Sequence, residues 1–260
     1  LKREKINEDK LREIFEELEF RNLLKRILGD TAPKQQIGLF DTKPATGMLD
    51  MFAENPTETK DIFETSNLTD LKSTPHKYYI VDSESEMESL AEKFLTFDFV
   101  CLDTETTNID AMSAELVGLS FSVAENEAYY IPIPAEKSEA LKIVNKFKKV
   151  YESEKLLKIG QNIKYDIIIL ANYGIEVRGE IFDTMIAHYI LQPELRHNMD
   201  YLAEIYLGYK TIHIDELIGA RGKKQGNMRD LKPEEVYEYA CEDADVTLKL
   251  KTILEKELHK

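Results

Sequence analysis

The chain has 260 residues, of which 43% are hydrophobic, so it can build at least one packed core, and its formal net charge is −15. That charge disfavours a protein that holds nucleic acid through an extended basic surface, although carboxylates that bind divalent cations reverse the local field. No apolar run approaches the roughly 20 residues that cross a bilayer, and the two cysteines form no zinc motif, which together predict a reduced, cytoplasmic protein.

The first predicted element is a helix over residues 8–28, because apolar side chains recur there on one face. Residues 30–75 are rich in Pro, Thr, Asp and Lys and show little periodicity, a composition typical of a linker. We therefore predict three parts: a helical tail over residues 1–29, a flexible linker, and a domain over residues 76–260.

The third part alternates between strand and helix patterns. Predicted strands cover residues 78–82, 98–103, 115–123, 128–133 and 156–159. One helix is predicted to start after Ser83, which forms a capping box with Glu86; another covers residues 138–151, and the last begins at Pro233. Strands followed by helices predict an α/β fold with a central mixed β-sheet flanked by helices.

The stretch FVCLDTETTNID begins as an apolar strand and continues into Asp103 and Glu105. Side chains two residues apart on a strand point to the same face, so both carboxylates can bind one ion. Burying them without neutralisation is costly. Asp82 and Glu84 have the same spacing, but a strand end followed by a helix start explains that pair, so the spacing alone is a weak signal.

The stretch KIGQNIKYDIIIL places Asn162 and Asp166 four residues apart, on one face of a helix predicted to follow a short strand. Asp166 can therefore face the strand ends. Taken alone, the stretch favours another interpretation, an asparagine cap followed by a solvated aspartate.

The stretch YACEDADVTLKL belongs to the long last helix, where Tyr239 and Asp243 are also four residues apart and share a face. The alternative for Tyr239 is a buried core aromatic. Glu242 and Asp245 are expected to face solvent.

Taken together, the four carboxylates indicate a metal site. All-oxygen ligand sets suit Mg²⁺ or Mn²⁺ rather than zinc, and four acids need about two divalent ions to balance them. Two such ions about 3.5–4 Å apart can clamp the attacking and leaving oxygens of a phosphodiester displacement. The sequence therefore predicts two-metal-ion hydrolysis by Asp103, Glu105, Asp166 and Asp243; the alternative is chance clustering of acids in an α/β domain.

The motifs DTET, GQNIKYD and YACEDAD also stand in the order of the three exonuclease motifs of bacterial DNA polymerase I, and the chain resembles that family's 3′→5′ proofreading exonuclease domain. VGLSFSV, LANYGIEVRG, FDTM and RHNMD extend the resemblance over residues 77–255. It implies a ribonuclease-H-like exonuclease fold in a bacterial, nucleoid-associated monomer that releases nucleoside 5′-monophosphates. It also implies that residues 1–29 are the tail of an upstream 5′-nuclease domain and that a polymerase domain lies C-terminal to this one.

The resemblance implies a catalytic role for each motif residue. Asp103, Glu105 and Asp243 would bind the first metal, and Asp103 would bridge to the second. Asp166 would contribute to the second, directly or through water, and Tyr239 would orient or activate the attacking water.

The resemblance further implies contacts to the single-stranded or frayed DNA 3′ end from Gln161, Asn162, Tyr165 and Arg196, with Ile109 packing against the terminal bases. RGKKQGNMR, residues 221–229, departs from the family pattern and is predicted to be a modest basic patch.

Two other functions remain open. One is an RNA-trimming exonuclease resembling ribonuclease D, which shares the four acids and the tyrosine, and the other is a catalytically silent scaffold domain of a polymerase. GQNIKYD and LANYGIEVRGEIFDTM favour the polymerase version, and the intact carboxylates favour activity.

Overall fold

The structure, a computed structural model, describes residues 8–17, 68–220, 222 and 225–260. The chain divides into two compact units, residues 1–58 and 59–260. In the first unit the described residues form one helix, α1 (Glu8–Glu17), which confirms the beginning of the predicted N-terminal helix. The remainder of that helix and most of the predicted linker lie outside the described residues.

The second unit is built around a mixed β-sheet. Its strands are β1 (Thr69–Asp70), β2 (Lys77–Ile80), β3 (Phe99–Thr106), β4 (Leu116–Ala124), β5 (Glu127–Pro132), β6 (Leu157–Gly160), β7 (Ile181–Asp183) and β8 (Tyr209–Lys210). Six of them form one sheet in the order β2-β5-β4-β3-β6-β7. The three central strands are antiparallel, and β2, β6 and β7 add to them in parallel.

A separate ladder pairs β1 with β8 in parallel. Residues 69–70, which the sequence assigns to the linker, therefore belong to a strand of the second unit. The division of the chain into tail, linker and catalytic domain stays a prediction.

Eight α-helices are described in the second unit: α2 (Glu84–Phe94), α3 (Lys137–Lys146), α4 (Lys148–Tyr151), α5 (Lys164–Ala171), α6 (Thr184–Leu191), α7 (Met199–Leu202), α8 (Ile214–Ile218) and α9 (Pro233–Leu258). A π-helix (Ala203–Leu207) and a 3₁₀ helix (Met228–Asp230) are described beside them. The Ser83 hydroxyl accepts from the Glu86 backbone N–H, which confirms Ser83 as the cap. The Glu86 carboxylate accepts from the Ser83 hydroxyl rather than from its backbone N–H, so the reciprocal half of the predicted capping box is not formed. Pro233 occupies the first turn of α9. The helix predicted over residues 138–151 is interrupted at Phe147, a fully buried residue with φ −94°.

Apolar side chains cover both faces of the sheet. Phe121 and Ile131 pack with α2, α3 and α4 on one face, whereas Tyr130 and Ala128 pack with α9 on the other. Because both faces are covered, residues along β4 and β5 are buried almost continuously rather than at alternate positions.

Helix α9 spans 26 residues and contacts β2, β3, β4, β5 and β6. It thus lies across the sheet, and its middle can bring side chains to the end of β3. The predicted α/β architecture, a central mixed sheet flanked by helices, is confirmed. Among the described helices, none combines the length and the apolar character that a membrane span requires.

Candidate active site

Three carboxylates meet where β3 lies beneath α9. One oxygen from each of Asp103, Glu105 and Asp243 lies within 4.8 Å of the others. Glu105 and Asp243 are buried and Asp103 is partly exposed. The two-residue period of β3 turns its two acids to one face, and α9 supplies the third acid to that face. The predicted convergence of Asp103, Glu105 and Asp243 is what the structure shows.

The strand changes its pairing directly after these acids. The register between β3 and β4 shifts between Glu105 and Thr106, a local bulge of the kind often found beside active sites. Gly118 lies opposite Glu105 in the ladder, and a Cβ at this position would come within 2.2 Å of the Tyr130 ring. A glycine is therefore required for the Tyr130 ring to pack under the acids.

The carboxylates oppose one another electrostatically. Burial raises the pKa of Asp103 to about 6. Burial and then the neighbouring Asp103 charge raise the pKa of Glu105 and of Asp243 well above their ordinary values. The metal-free cluster therefore resists full ionisation, and a cation would relieve the repulsion.

Two oxygens of this cluster test whether it fits a metal. Glu105 Oε1 and Asp243 Oδ1 are buried, and none of the residues that the structure describes donates a hydrogen bond to them. Native proteins leave few buried polar atoms unsatisfied, and such exceptions often mark an ion or water. Since the donors are all carboxylate oxygens, the cluster fits Mg²⁺ or Mn²⁺ rather than zinc.

Asp166 lies beside the cluster rather than within it. It is buried in the first turn of α5, and the Thr104 hydroxyl donates to its Oδ1 at 2.5 Å. Burial and then the Asp103 charge raise the pKa of Asp166 well above its ordinary value. Thr104 was not among the predicted site residues, because the two-residue period of β3 turns it away from the face that carries Asp103 and Glu105.

Asn162 does not share a helical face with Asp166, so that prediction is wrong. Helix α5 begins at Lys164, and Asn162 has a left-handed backbone with φ 56°. The side chain of Asp183 accepts from the backbone N–H groups of Asn162 and Ile163 at 3.1 and 3.0 Å. This contact stabilises a turn in a conformation that asparagine tolerates better than most residues.

Tyr239 lies one turn before Asp243 on α9 and is partly exposed. Burial and then the Asp243 charge raise its pKa well above the ordinary value, so the hydroxyl keeps its proton at neutral pH. Its ring also packs against the apolar cluster under α9. The position of Tyr239 beside Asp243 fits the predicted water-orienting role, and the packing of its ring fits the alternative role in the core.

Glu242 does not face solvent, so the prediction is wrong for this residue. Its carboxylate is fully buried and accepts from the Tyr209 hydroxyl at 2.6 Å and from the Ile212 backbone N–H at 2.6 Å. The segment around β8 covers this side of α9.

The same prediction is wrong for Asp245, which is also buried. Its oxygens accept from the Tyr78 hydroxyl at 2.8 Å and the Asn126 backbone N–H at 2.7 Å, and it pairs with Lys249 at 2.7 Å. The partners from β2 and from the turn before β5 bring donors that sequence periodicity does not reveal.

Among the predicted DNA contacts, Ile109 is 79% exposed on the loop after β3. Tyr165 braces the base of this loop, because its hydroxyl donates to the Asn108 carbonyl and shares a 2.6 Å hydrogen bond with Thr106. The structure thus brings Ile109 and Tyr165 to one loop beside the acids.

Gln161 and Arg196 come from distant segments that one hydrogen bond joins. Gln161 Nε2 donates to the carbonyl of His197 at 2.7 Å, and its Oε1 accepts from the Thr184 hydroxyl. Arg196 precedes His197 and is exposed. Neither Thr184 nor His197 was among the predicted residues, although FDTM and RHNMD contain them.

The predicted basic patch is wrong for Arg229. Its guanidinium donates to the backbone carbonyls of Ile133 and Leu116, and nearby Asn227 donates to the Thr107 carbonyl at 3.0 Å. Arg229 therefore holds the fold together beside β4. The other three basic residues of RGKKQGNMR lie outside the described residues.

Comparison with known proteins gives the chain relatives of one kind. Residues 78–259 match a family model described as 3′-5′ exonuclease. DNA polymerase I of Pseudomonas aeruginosa is 38% identical over 190 residues, covering 70% of this chain and 21% of the relative. DNA polymerase I of Borreliella burgdorferi is 34% identical over 226 residues, covering 86% of this chain and 23% of the relative. The chain spans about a fifth of the length of these curated relatives.

Solved structures share the fold. Brucella melitensis NrnC with bound Mg²⁺ has a TM-score of 0.53 and 21% identity, covering 72% of this chain and 83% of that one. Escherichia coli RNase D, an exoribonuclease involved in structured RNA processing, has a TM-score of 0.56 and 18% identity, covering 70% and 45%. At these identities the likeness shows the fold alone, and it confirms the predicted ribonuclease-H-like exonuclease fold.

Proposed function

The chain belongs to the 3′-5′ exonuclease family that its residues 78–259 match, and on that premise we propose that it hydrolyses DNA from the 3′ end to nucleoside 5′-monophosphates with two divalent cations. The observation that carries this proposal is the cluster of Asp103, Glu105 and Asp243, which has two buried carboxylate oxygens without hydrogen-bond partners. A structural acid cluster would be expected to recruit donors, as other buried acids of this chain do.

Each carboxylate has a proposed place in metal binding. Asp103, Glu105 and Asp243 would hold one cation, and Asp103 and Asp166 would contribute to binding the other. When bound, such cations supply an activated water and neutralise the charge that develops on the phosphate. Thr104 would orient the Asp166 carboxylate through its 2.5 Å hydrogen bond.

Tyr239 is proposed to orient the attacking water rather than to deprotonate it. Its pKa is raised, so at neutral pH the hydroxyl carries a proton that can be donated. The Tyr239 hydroxyl, one helical turn from Asp243, would donate a hydrogen bond to the attacking water. This bond would orient the water without accepting its proton.

The proposed substrate is a single-stranded or frayed DNA 3′ end, presented by a polymerase domain C-terminal to this one. The DNA polymerase I relatives support this choice. Ile109, Gln161, Asn162, Tyr165 and Arg196 would contact the strand. Trimming of RNA is the second candidate, and the likeness to RNase D supports it through the fold alone.

Digestion of matched DNA and RNA oligonucleotides tests the proposal. A 5′-labelled single strand should give a ladder that shortens from the 3′ end, and a 3′-labelled strand should release labelled mononucleotide at once. EDTA should stop both reactions, and frayed ends should be cut faster than blunt duplex. A faster reaction on RNA would favour the second candidate, and no cleavage in Mg²⁺ or Mn²⁺ would indicate a silent scaffold domain.

A further inference from the structure

Two buried histidines form a hydrogen-bonded pair outside the acid cluster. His188 lies on α6 and is fully buried, and His197 is 9% exposed in the segment after α6. Their Nδ1 atoms are 2.7 Å apart. The Tyr206 ring packs edge-on against His188 at 5.6 Å between centroids, and the Tyr189 ring packs against His197 at 5.3 Å.

The short contact requires one Nδ1 to donate and the other, on a neutral ring, to accept. Burial and then the neighbouring ring lower the pKa of His188 to about 4, and burial lowers the pKa of His197. The other nitrogen of His188, Nε2, is buried and has no hydrogen-bond partner within the described part of the chain. Burying this pair leaves a polar nitrogen without a hydrogen bond, which is unfavourable. Two apolar side chains in the same place would carry no such cost.

The pair belongs to a closed cycle of contacts that includes Gln161, one of the residues proposed to contact DNA. The carbonyl of His197 accepts from Gln161 Nε2 at 2.7 Å, and Gln161 accepts from Thr184, the first residue of α6. Four residues therefore tie α6, the turn after β6 and the segment after α6 into one unit. Arg196 is exposed on that segment, next to His197.

We propose that the His188–His197 pair is a positioning device, which fixes Gln161 and Arg196 in the geometry that holds the unpaired 3′ strand. This rests on the proposed function, because Gln161 and Arg196 matter only if the chain binds such a strand. Among the described residues, the hydrogen bonds and ring contacts of the pair involve neither the proposed metal ligands nor Tyr239. It acts on substrate binding and leaves the chemical step alone.

His188→Phe and His188→Asn separate positioning from packing. Phenylalanine fills the buried volume but leaves the His197 ring without a partner, whereas the asparagine amide occupies the place of Nδ1 and restores a hydrogen bond. We expect His188→Phe to raise KM for a single-stranded DNA oligonucleotide about tenfold, the loss of roughly one hydrogen bond, with kcat within about threefold of wild type. His188→Asn should recover most of the KM.

Val144→Ala is the matched control. Val144 is fully buried on α3 in the cluster on the far side of the sheet, so this change destabilises the fold without touching the histidines. Rates are normalised to the folded fraction from circular dichroism. The control should leave KM at the wild-type value.

Binding measured without turnover keeps the two proposals distinguishable. Fluorescence anisotropy of a 5′-labelled oligonucleotide in EDTA should show weaker binding by His188→Phe and wild-type binding by the control. Failure of wild type to cleave would refute the proposed function while this assay still tests the pair. If His188→Phe does not fold, Thr184→Val replaces it. This change removes the hydrogen bond from the Thr184 hydroxyl to Gln161, which belongs to the same cycle of contacts, and should raise KM by a similar factor.

A KM within twofold of wild type for His188→Phe or its substitute Thr184→Val overturns the proposal. So does a fall in kcat at unchanged KM, or a milder effect of phenylalanine than of asparagine, since both indicate a role in packing alone.

Discussion

Helix α9 carries three buried carboxylates within one turn, and hydrogen bonding divides them into two kinds. Glu242 and Asp245 accept from hydroxyls and backbone N–H groups on neighbouring elements. Asp243, between them, has a buried oxygen without a partner and lies against two further acids. Burial is common to all three, so the supply of donors, rather than burial, distinguishes the structural acids from the candidate metal ligand.

The physical reason is the cost of burying a charge. A carboxylate removed from water needs donors or an opposite charge, and the fold supplies both to Asp245 through Lys249 and its other partners. No comparable donor set reaches Glu105 Oε1 or Asp243 Oδ1. A divalent cation would neutralise what the described chain leaves unneutralised.

Removing the shared ligand should have the largest effect. Asp103→Asn should lower single-turnover cleavage by about 10³-fold or more, since several kcal/mol of metal-derived transition-state stabilisation would be lost. Circular dichroism should show an intact fold, because Asp103 lies at a partly exposed position rather than in the apolar core. Near-normal turnover in Mg²⁺ would contradict the two-metal assignment.

Tyr239→Phe should have a smaller effect on the same reaction. It keeps the ring's packing and all four acids, so Mn²⁺ affinity measured by calorimetry should stay near wild type. Loss of a positioning hydroxyl should lower cleavage by about 10²-fold, the low end for such groups. Cleavage at the wild-type rate would make Tyr239 a core aromatic, and loss of metal would mean that it shares the role of Asp243.

Asp245→Asn should reverse the pattern, with stability lost and chemistry retained. The change leaves Lys249 without its charge partner and weakens the contacts to Tyr78 and Asn126, at a cost of about 2 kcal/mol in the free energy of unfolding. The rate per folded molecule should equal that of wild type. Urea denaturation and single-turnover cleavage measure the two quantities. An unchanged stability, or a rate loss like that of Asp103→Asn, would remove the distinction between the two kinds of acid.

Without a metal, repulsion among the carboxylates of the cluster should make the free energy of unfolding depend on pH. The pKa of Asp103 is raised to about 6, so the folded state binds protons more tightly than the unfolded state. Stability from this source is therefore present below about pH 4 and is lost as the pH rises through 6, by at most about 3 kcal/mol. The buried histidines, with lowered pKa values, act in the opposite direction.

The comparison with Asp103→Asn isolates the cluster from these histidines. In EDTA, wild type should lose stability relative to the variant between pH 4 and 7, and Mn²⁺ should restore it. A difference that does not change with pH would show that the acids are not strained without a cation.

Periodicity within single strands and helices was enough to predict which neighbouring site residues share a face. The alternation along β3 placed Asp103 and Glu105 on one face, and the helical repeat placed Tyr239 one turn from Asp243. The helical repeat failed for Asn162, because Asp183, 21 residues later, holds that turn in a left-handed conformation, and the helix begins only at Lys164.

The errors for Glu242 and Asp245 have a similar origin. Their partners Tyr209 and Tyr78 lie 33 and 167 residues away, so no pattern within α9 could show that its outer faces are covered. The pairing of His188 with His197 was likewise hidden, since it depends on how the segment after α6 folds back. Sequence motifs located the acids, but the distribution of donors among them required the tertiary structure.

Calorimetric titration of Mn²⁺ into wild type, Asp243→Asn and Asp245→Asn at neutral pH tests the central claim most directly. Wild type and Asp245→Asn should each bind two ions with similar affinities. Asp243→Asn should lose at least one of them. Retention of both ions by Asp243→Asn, or their loss in Asp245→Asn, would contradict the claim that the unsatisfied carboxylates are the metal site.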